Sequence, residues 1–372
     1  VTSTRDDGVE VSRMVLAHLA KHDFPTRSPL YAAIARDLLH DDEVLALSTG
    51  VAWHELPPML LLAAVRDLLI ADPSEPLAAF HADLTDTPRP PDEAYPLFRE
   101  FALRHRGEIT ALVRSRAIQT NEVLRCACYM PAVALAPAAL GTAEIGLVDV
   151  GSSAGLGMLL DRYAYDSGDA GCAGPPEAPV RLRCEVRGDR PPPLAGAPPR
   201  IAHRVGLDRA PVDVRDPDAT RWLRATVWPG QGSRVELLLG AVEAARLDPP
   251  RIVAGDAVRD LPALLDSVPA ELGVCVTTSV VLTYLGAERA AFTAALEEAG
   301  RRRPLAWVAY DTTHGIDRME DAPAWVRELM DSGNVDCALV RLSLFTASGR
   351  DDRWLARSGY HGEWLEWMAP PG

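Results

Sequence analysis

What most constrains this chain is a change of texture before its midpoint. From Leu147 onward, short β-rich apolar runs at 147–150, 202–207, 251–254, 274–278, 305–309 and 338–345 alternate with helical stretches. Strand, helix, strand in this order is the signature of a parallel sheet covered on both faces. From about 10 to 116 the chain instead spaces apolar residues at three and four, as in 11–21, 30–39, 58–70 and 96–115, with Pro25, Pro57, Pro73 and Pro88 as punctuation. No strand pattern interrupts that stretch. The expectation is an all-helical N-terminal region over 1–116 and an α/β region over 117–372, entered through a helix at about 119–140. The glycine- and proline-rich stretch at about 168–200 reads as an inserted loop or hairpin, with a candidate strand at 180–186.

Composition narrows the partners. With 48% hydrophobic and 24% charged residues the chain can bury a core. Lys+Arg 38 against Asp+Glu 52 leaves a formal charge of −14, which opposes a phosphate-coating surface and so a nucleic-acid partner. No apolar run is expected to reach the ~18 residues of a membrane span. The opening Thr4, Arg5, Asp6 and Asp7 lacks a basic stretch followed by an apolar one, so the cytoplasm is the expected compartment. Six cysteines without repeated CxxC or histidine spacing suit reduced core residues better than a disulfide framework or a zinc site.

The densest local signal is Leu147-Val148-Asp149-Val150-Gly151-Ser152-Ser153-Ala154-Gly155-Leu156-Gly157, read as a buried strand, a small-residue turn and a helix. Such a turn lets backbone approach a ligand, and a following helix would offer unpaired N–H groups and a positive dipole end. A glycine turn can equally be packing and nothing more. Asp208 closes the next apolar run, where a carboxylate can accept from ribose hydroxyls, and Asp256 closes the one after it, placed to accept from an adenine amino group. Acids at strand ends are usually solvated caps, yet three such features in order at successive carboxyl ends describe an adenosine site at the switch point of a doubly wound sheet.

These residues resemble the first motif of the class I S-adenosylmethionine methyltransferases, Asp/Glu-x-Gly-x-Gly-x-Gly, here Asp149-x-Gly151-x-Ser153-x-Gly155 with serine at the middle glycine. The resemblance implies a Rossmann-like fold, mostly parallel and doubly wound with an antiparallel C-terminal strand. It also implies S-adenosylmethionine as cofactor, with Gly151 and Gly155 against the methionine part, Asp208 at the ribose and Asp256 at the adenine. Glu185 is the alternative ribose acid. A dinucleotide dehydrogenase fits less well, because the two-glycine turn of that fingerprint is missing. A second resemblance covers most of the chain. Gln119-Thr120-Asn121-Glu122-Val123-x-Arg125, Asp161-Arg162-Tyr163-x-Tyr165, Trp222-Leu223-x-Ala225-x-Val227-Trp228-Pro229-x-Gln231-x-x-Arg234, Ser279-Val280-Val281-Leu282-x-Tyr284 and His361-Gly362-x-Trp364-Leu365-x-Trp367 are similar to an actinobacterial domain-of-unknown-function family, number 2332. That family's pattern carries asparagine at Gly157 and histidine at Thr278, so this chain lacks two polar groups at the cofactor side.

Glu122 and Arg125 could form an ordinary i,i+3 surface pair on a helix, worth a few tenths of a kcal/mol. If that helix crosses the mouth of the sheet, Asn121, Glu122 and Arg125 would instead touch the ligand. Arg162 and Tyr163 either end the helix after the glycine turn or bind substrate. Trp228 is a packing anchor or a ligand wall, and Arg234 could take a carboxylate or sulfate. Ser279 and Tyr284, with Asp311 and His314 after the next run, stand where methyltransferases place acceptor-side groups. Glu122, Tyr284, Asp311 and His314 are the catalytic candidates. The stretch 361–368 reads as a final strand without a catalytic role.

The simplest expectation is methyl transfer to a small molecule, with the helical region as lid. A second keeps the fold without the donor: the family resemblance extends to antibiotic pathways that close aziridine rings by expelling sulfate together with a second protein. An arginine such as Arg125, Arg162 or Arg234 would then receive the sulfate, and Glu122 or Asp311 the amine proton. A third is a non-catalytic partner subunit. Homo-oligomers and a companion chain are both compatible with the sequence.

Overall fold

The computed structural model describes residues 5–193, 198–315, 322–332 and 337–370. The chain divides into two compact units, Val1–Thr120 with Arg215–Leu239, and Asn121–Val214 with Gly240–Gly372.

The first unit is helical throughout its described residues, as its three-and-four spacing predicts. The helix Pro57–Ala71 has proline in its first turn and apolar residues on all sides, and it is buried along nearly its whole length. The unit is not bounded at 116 as expected, because residues 215–239 return to it. Asp216 caps the helix Pro217–Thr226 by accepting from the N–H groups of Asp218 and Ala219, at 2.8 and 3.3 Å. Trp222 from that helix is buried in the helical core and donates its indole N–H to the carbonyl of Ala117 at 2.9 Å. An amphipathic helix joins whichever core its apolar face fills, and chain order does not reveal which.

The second unit is built on strands β1 (Ile145–Val150), β2 (Ala164–Asp166), β3 (Cys172–Ala173), β4 (Arg181–Arg183), β5 (Glu185–Arg187), β6 (Ile201–Asp208), β7 (Ile252–Ala254), β8 (Gly273–Ser279), β9 (Leu305–Thr312), β10 (Cys337–Thr346), β11 (Gly349–Gly359) and β12 (Trp364–Trp367). Nine of them form one sheet in the order β5-β12-β11-β10-β9-β8-β1-β6-β7, and β3-β2-β4 form a second. From β7 through β9 every neighbour is parallel, whereas β9, β10, β11 and β12 alternate antiparallel. Every residue of β1 and β9 is buried, which is why they read as continuous apolar runs. The six sequence-predicted strands are all present.

Several expectations are corrected. The antiparallel part is a meander of three strands rather than one. The insertion is a platform: β2 pairs with β3 and β4, and β5 extends the large sheet beside β12. No α-helix follows the glycine turn. The chain makes a 3-10 helix, Leu156–Arg162, with non-helical geometry at Leu159, and then enters β2, so no helix dipole points at the turn. Residues 117–122 are not helical either. A 3-10 turn, Val123–Arg125, leads into the helix Cys126–Leu140. The 18 residues Val123–Leu140 are long and apolar enough to cross a membrane, contrary to the expectation of no such run. They are 67% buried in the unit and contain Pro131 and Pro137, with the helix packed on β8, β9 and β10, the position of a core helix.

Candidate functional site

In the parallel part, β1 is flanked by β6 on one side and β8 on the other, so the strand order reverses there. In open α/β sheets the crevice beyond the carboxyl ends at such a reversal is where ligands bind. Two residues with side chains adopt left-handed backbone at this edge, Ser153 after β1 (φ 49) and Val280 after β8 (φ 58). For β-branched Val280 this is strained, and strain of this kind concentrates at functional positions.

The glycine turn is closed upon itself. The N–H groups of Gly151 and Ser152 donate to the Leu207 carbonyl at 2.8 and 3.3 Å, and that of Gly155 to the Ser152 carbonyl at 2.7 Å. Ser153 N–H donates to Asp208 Oδ2 at 2.7 Å, and Ala154 N–H to Asn121 Oδ1 at 3.3 Å. Asn121 Nδ2 donates in turn to Ser153 Oγ at 2.9 Å. The glycines make close approach possible, but to protein: a Cβ on Gly151 would lie 2.5 Å from the Val281 side chain, and one on Gly155 2.5 Å from Pro250. Asp208 spends its other oxygen on the N–H of Ala210 at 2.8 Å. Asp256 accepts from the N–H groups of Val258 and Arg259 at 3.0 and 3.1 Å and pairs with Arg209 at 3.1 Å. The acids that the resemblance assigns to ribose and adenine are therefore loop and turn caps. Glu185 lies on β5, at the far end of the sheet from β6, exposed and paired with Arg187 at 2.9 Å. A ligand at either acid would share carboxylate oxygens that already hold the loops together.

Asp149 is buried beside this turn and accepts from the Thr277 hydroxyl at 2.7 Å. Burial, opposed by that hydroxyl and reinforced by Asp208, pushes its carboxyl up to about 7. A Cβ at Gly157 would come within 2.8 Å of the Tyr129 hydroxyl, so this chain's glycine is matched to its tyrosine. Thr278 accepts from the Trp307 indole N–H at 3.0 Å, a local role for the second departure.

A second group gathers at the carboxyl ends of β8, β9 and β11. Glu122 does not pair along a helix face with Arg125. It caps the 3-10 turn by accepting from Leu124 N–H at 3.4 Å, and its Oε2 lies 3.6 Å from His361 Nδ1. Arg125 is buried, donates from Nε to the Tyr360 carbonyl at 3.1 Å, and has its guanidinium 4.7 Å from the Tyr360 ring and 5.9 Å from that of Tyr310. Its Nη2 is buried with no hydrogen-bond acceptor among the described residues. Tyr310 donates its hydroxyl to the Gly359 carbonyl at 2.6 Å. Asp311 accepts from the N–H groups of Leu282 and Thr312 and the Thr283 hydroxyl at 2.7, 2.9 and 2.8 Å. Burial nonetheless raises its carboxyl above the ordinary range. Three donors make it a brace between β9 and the turn after β8 rather than a base open to a ligand. Ser279 ends β8 opposite Tyr310, and Tyr284 is 70% exposed. His314 lies in the turn Thr313–Gly315, and its side chain falls outside the described residues.

The other candidates sit elsewhere. Arg162 pairs with Asp248 at 2.5 Å, and Tyr163 donates its hydroxyl to the Leu156 carbonyl at 2.7 Å. Trp228 and Arg234 belong to the first unit, where Trp228 packs edge-on against Phe24, ring centres 5.0 Å apart, and Arg234 donates to Gln231. Sequence reasoning missed Tyr360 and His361. Their only signal was the His361-Gly362 pair, read as the start of a strand. Gly362 has φ 91, and a Cβ there would lie 2.6 Å from the Leu124 carbonyl oxygen, so the turn docks backbone to backbone on the segment carrying Glu122 and Arg125. Gly362→Ala is expected to cost about 1–3 kcal/mol through strain and collision, read as a lowered urea midpoint, whereas an unchanged midpoint would show that the turn is not held there.

Residues 13–367 match the bacterial family DUF2332, described as an uncharacterized protein conserved in bacteria. No match is found among curated proteins. With the match spanning nearly the whole chain and the motifs of both units, the protein belongs to the DUF2332 family.

Proposed function

We propose that this chain is a small-molecule enzyme on a Rossmann-like, methyltransferase-type sheet, acting at the carboxyl edge by displacement within one bound substrate rather than by methyl transfer. One observation carries this reading: all five backbone N–H groups from Gly151 to Gly155, and both oxygens of Asp208, already have protein partners. A donor's methionine carboxylate would have to break the N–H bonds, at roughly 1 kcal/mol or more each, and its ribose would have to share Asp208 oxygens that already brace the turn. Arg125 supports the second half of the reading, since a buried guanidinium whose Nη2 has no acceptor among the described residues suits an anion that departs from carbon. In the reaction proposed, an amine of the substrate uses its lone pair to form a carbon–nitrogen bond and close a small ring. The carbon–oxygen bond to sulfate breaks with its electron pair on the sulfate, and the amine proton passes to a base.

Calorimetry separates the readings. No heat is expected with S-adenosylmethionine or its demethylated product, while inorganic sulfate is expected to bind weakly and to lose that binding in Arg125→Gln. Micromolar donor binding abolished by Asp208→Ala would replace displacement with methyl transfer. Absence of both would leave a non-catalytic subunit.

A further inference from the structure

We propose that Cys128 and Cys184 are an oxidisable dithiol, a modification site at which a peroxide-class oxidant closes a disulfide between the helix Cys126–Leu140 and the corner linking β4 to β5. Their sulfurs lie 3.9 Å apart across 56 positions of sequence, in contact and unbonded. Both residues belong to the second unit and are buried, at 0% and 2% exposure. Cys128 stands in the first turn of its helix, where its thiol also faces the Trp364 carbonyl of β12 at 3.7 Å. Cys184 is the one residue between β4 and β5. Its chain neighbours Arg183 and Glu185 are exposed, so a single layer of chain separates its thiol from solvent. A disulfide holds its sulfurs at ~2 Å, so closing the bond asks for about 2 Å of approach, within reach of side-chain rotation.

The order of events follows from burial. Burial, with Cys184 beside it, pushes the Cys128 thiol well above its ordinary value, so it stays protonated and slow toward an oxidant. Cys184, nearer the surface, is oxidised first. Its sulfur takes one peroxide oxygen as the O–O bond breaks, giving a sulfenic acid and one water. The Cys128 sulfur then displaces the sulfenic oxygen: the S–S bond forms, the S–O bond breaks, and that oxygen leaves as a second water with the Cys128 proton. Two thiols together lose two electrons and one peroxide gains them. The bond ties the helix that follows Arg125 to the edge where β5 pairs with β12. In a reducing compartment such a bond is transient, which makes it a redox-sensitive staple.

The test exposes the full chain to graded hydrogen peroxide, alkylates the remaining thiols under denaturation and maps the peptides by mass spectrometry. Oxidation of the exposed Cys172 gauges the dose. At doses that oxidise Cys172, a peptide joining Cys128 to Cys184 is expected, and dithiothreitol should return both thiols. The oxidised chain should unfold at a higher urea concentration than the same sample after dithiothreitol, because the cross-link restricts the unfolded chain over those 56 positions. Cys184→Ser should lose both the linked peptide and the shift. Recovery of both cysteines as alkylated thiols at such doses, linkage of either to a different cysteine, or overoxidation of Cys184 without linkage overturns the pair. A urea midpoint unchanged by the bond overturns the staple. If Cys184→Ser does not fold, Cys184→Ala and the linkage map of the unaltered chain decide. No readout here uses a ligand, so its failure and that of the displacement reading are separate.

Discussion

Replacing Asp149 with asparagine is expected to stabilise the sheet unit at pH 8 by on the order of 4 kcal/mol while changing little at pH 4. The carboxyl is 7% exposed, and burial raises its folded-state value to about 7. Between the unfolded value near ~4 and that figure, the folded chain holds a proton that the unfolded chain has released. Its contribution is thus fully present below about pH 4, is lost as pH rises towards 7, and stays lost above. Asparagine keeps an acceptor for the Thr277 hydroxyl without the charge. Urea unfolding of both proteins at pH 4 and pH 8 reads the effect. A difference that does not grow with pH would mean that Asp149 titrates as an ordinary aspartate.

The second large effect lies in the helical unit, where Asp83→Ala is expected to cost about 3–5 kcal/mol. Arg66 is fully buried and holds Asp83 through two bonds of 2.9 and 2.7 Å, while Arg224 donates to the same carboxylate at 3.2 Å. Removing the carboxylate strands a buried guanidinium against His81, whose Nδ1 lies 3.0 Å from Arg66. Burial and the neighbouring Arg66 push the His81 imidazole down to about 3. The unfolded chain therefore takes up a proton at His81 as pH falls below about 6.5 and the folded chain does not. His81 should therefore cost about 1.4 kcal/mol of stability per pH unit over that window, against the opposite contribution of Asp149, and His81→Gln should remove that cost. A pH dependence between 6.5 and 4 that is the same in the wild type and in His81→Gln would refute the neutral buried histidine.

Where the sequence misled, the cause was physical in each case. The eleven residues of β11 drew no strand expectation, since its inward positions Arg350 and Asp352 are charged; they form a buried ion pair at 2.8 Å, and Trp354 completes that face. The single candidate strand at 180–186 is two short ones, β4 and β5, whose three residues each carry too little period to separate them. Glu122 was read either as a partner of Arg125 or as a ligand contact, and its neighbour His361 was not foreseen, because sequence spacing registers only local neighbours.

From order and periodicity alone came the parallel strands, the helical first region and the glycine turn after β1, and from the resemblance of its motifs the family. Those properties are local: a buried strand needs an apolar run, and a tight turn needs glycine. Only the folded chain decided that the turn's N–H groups are spent internally, that residues 215–239 pack with the helical unit, and that His361 meets Glu122. Hydrogen-bond partners and long-range neighbours are set by the closing of the whole sheet, and one-dimensional spacing does not encode them.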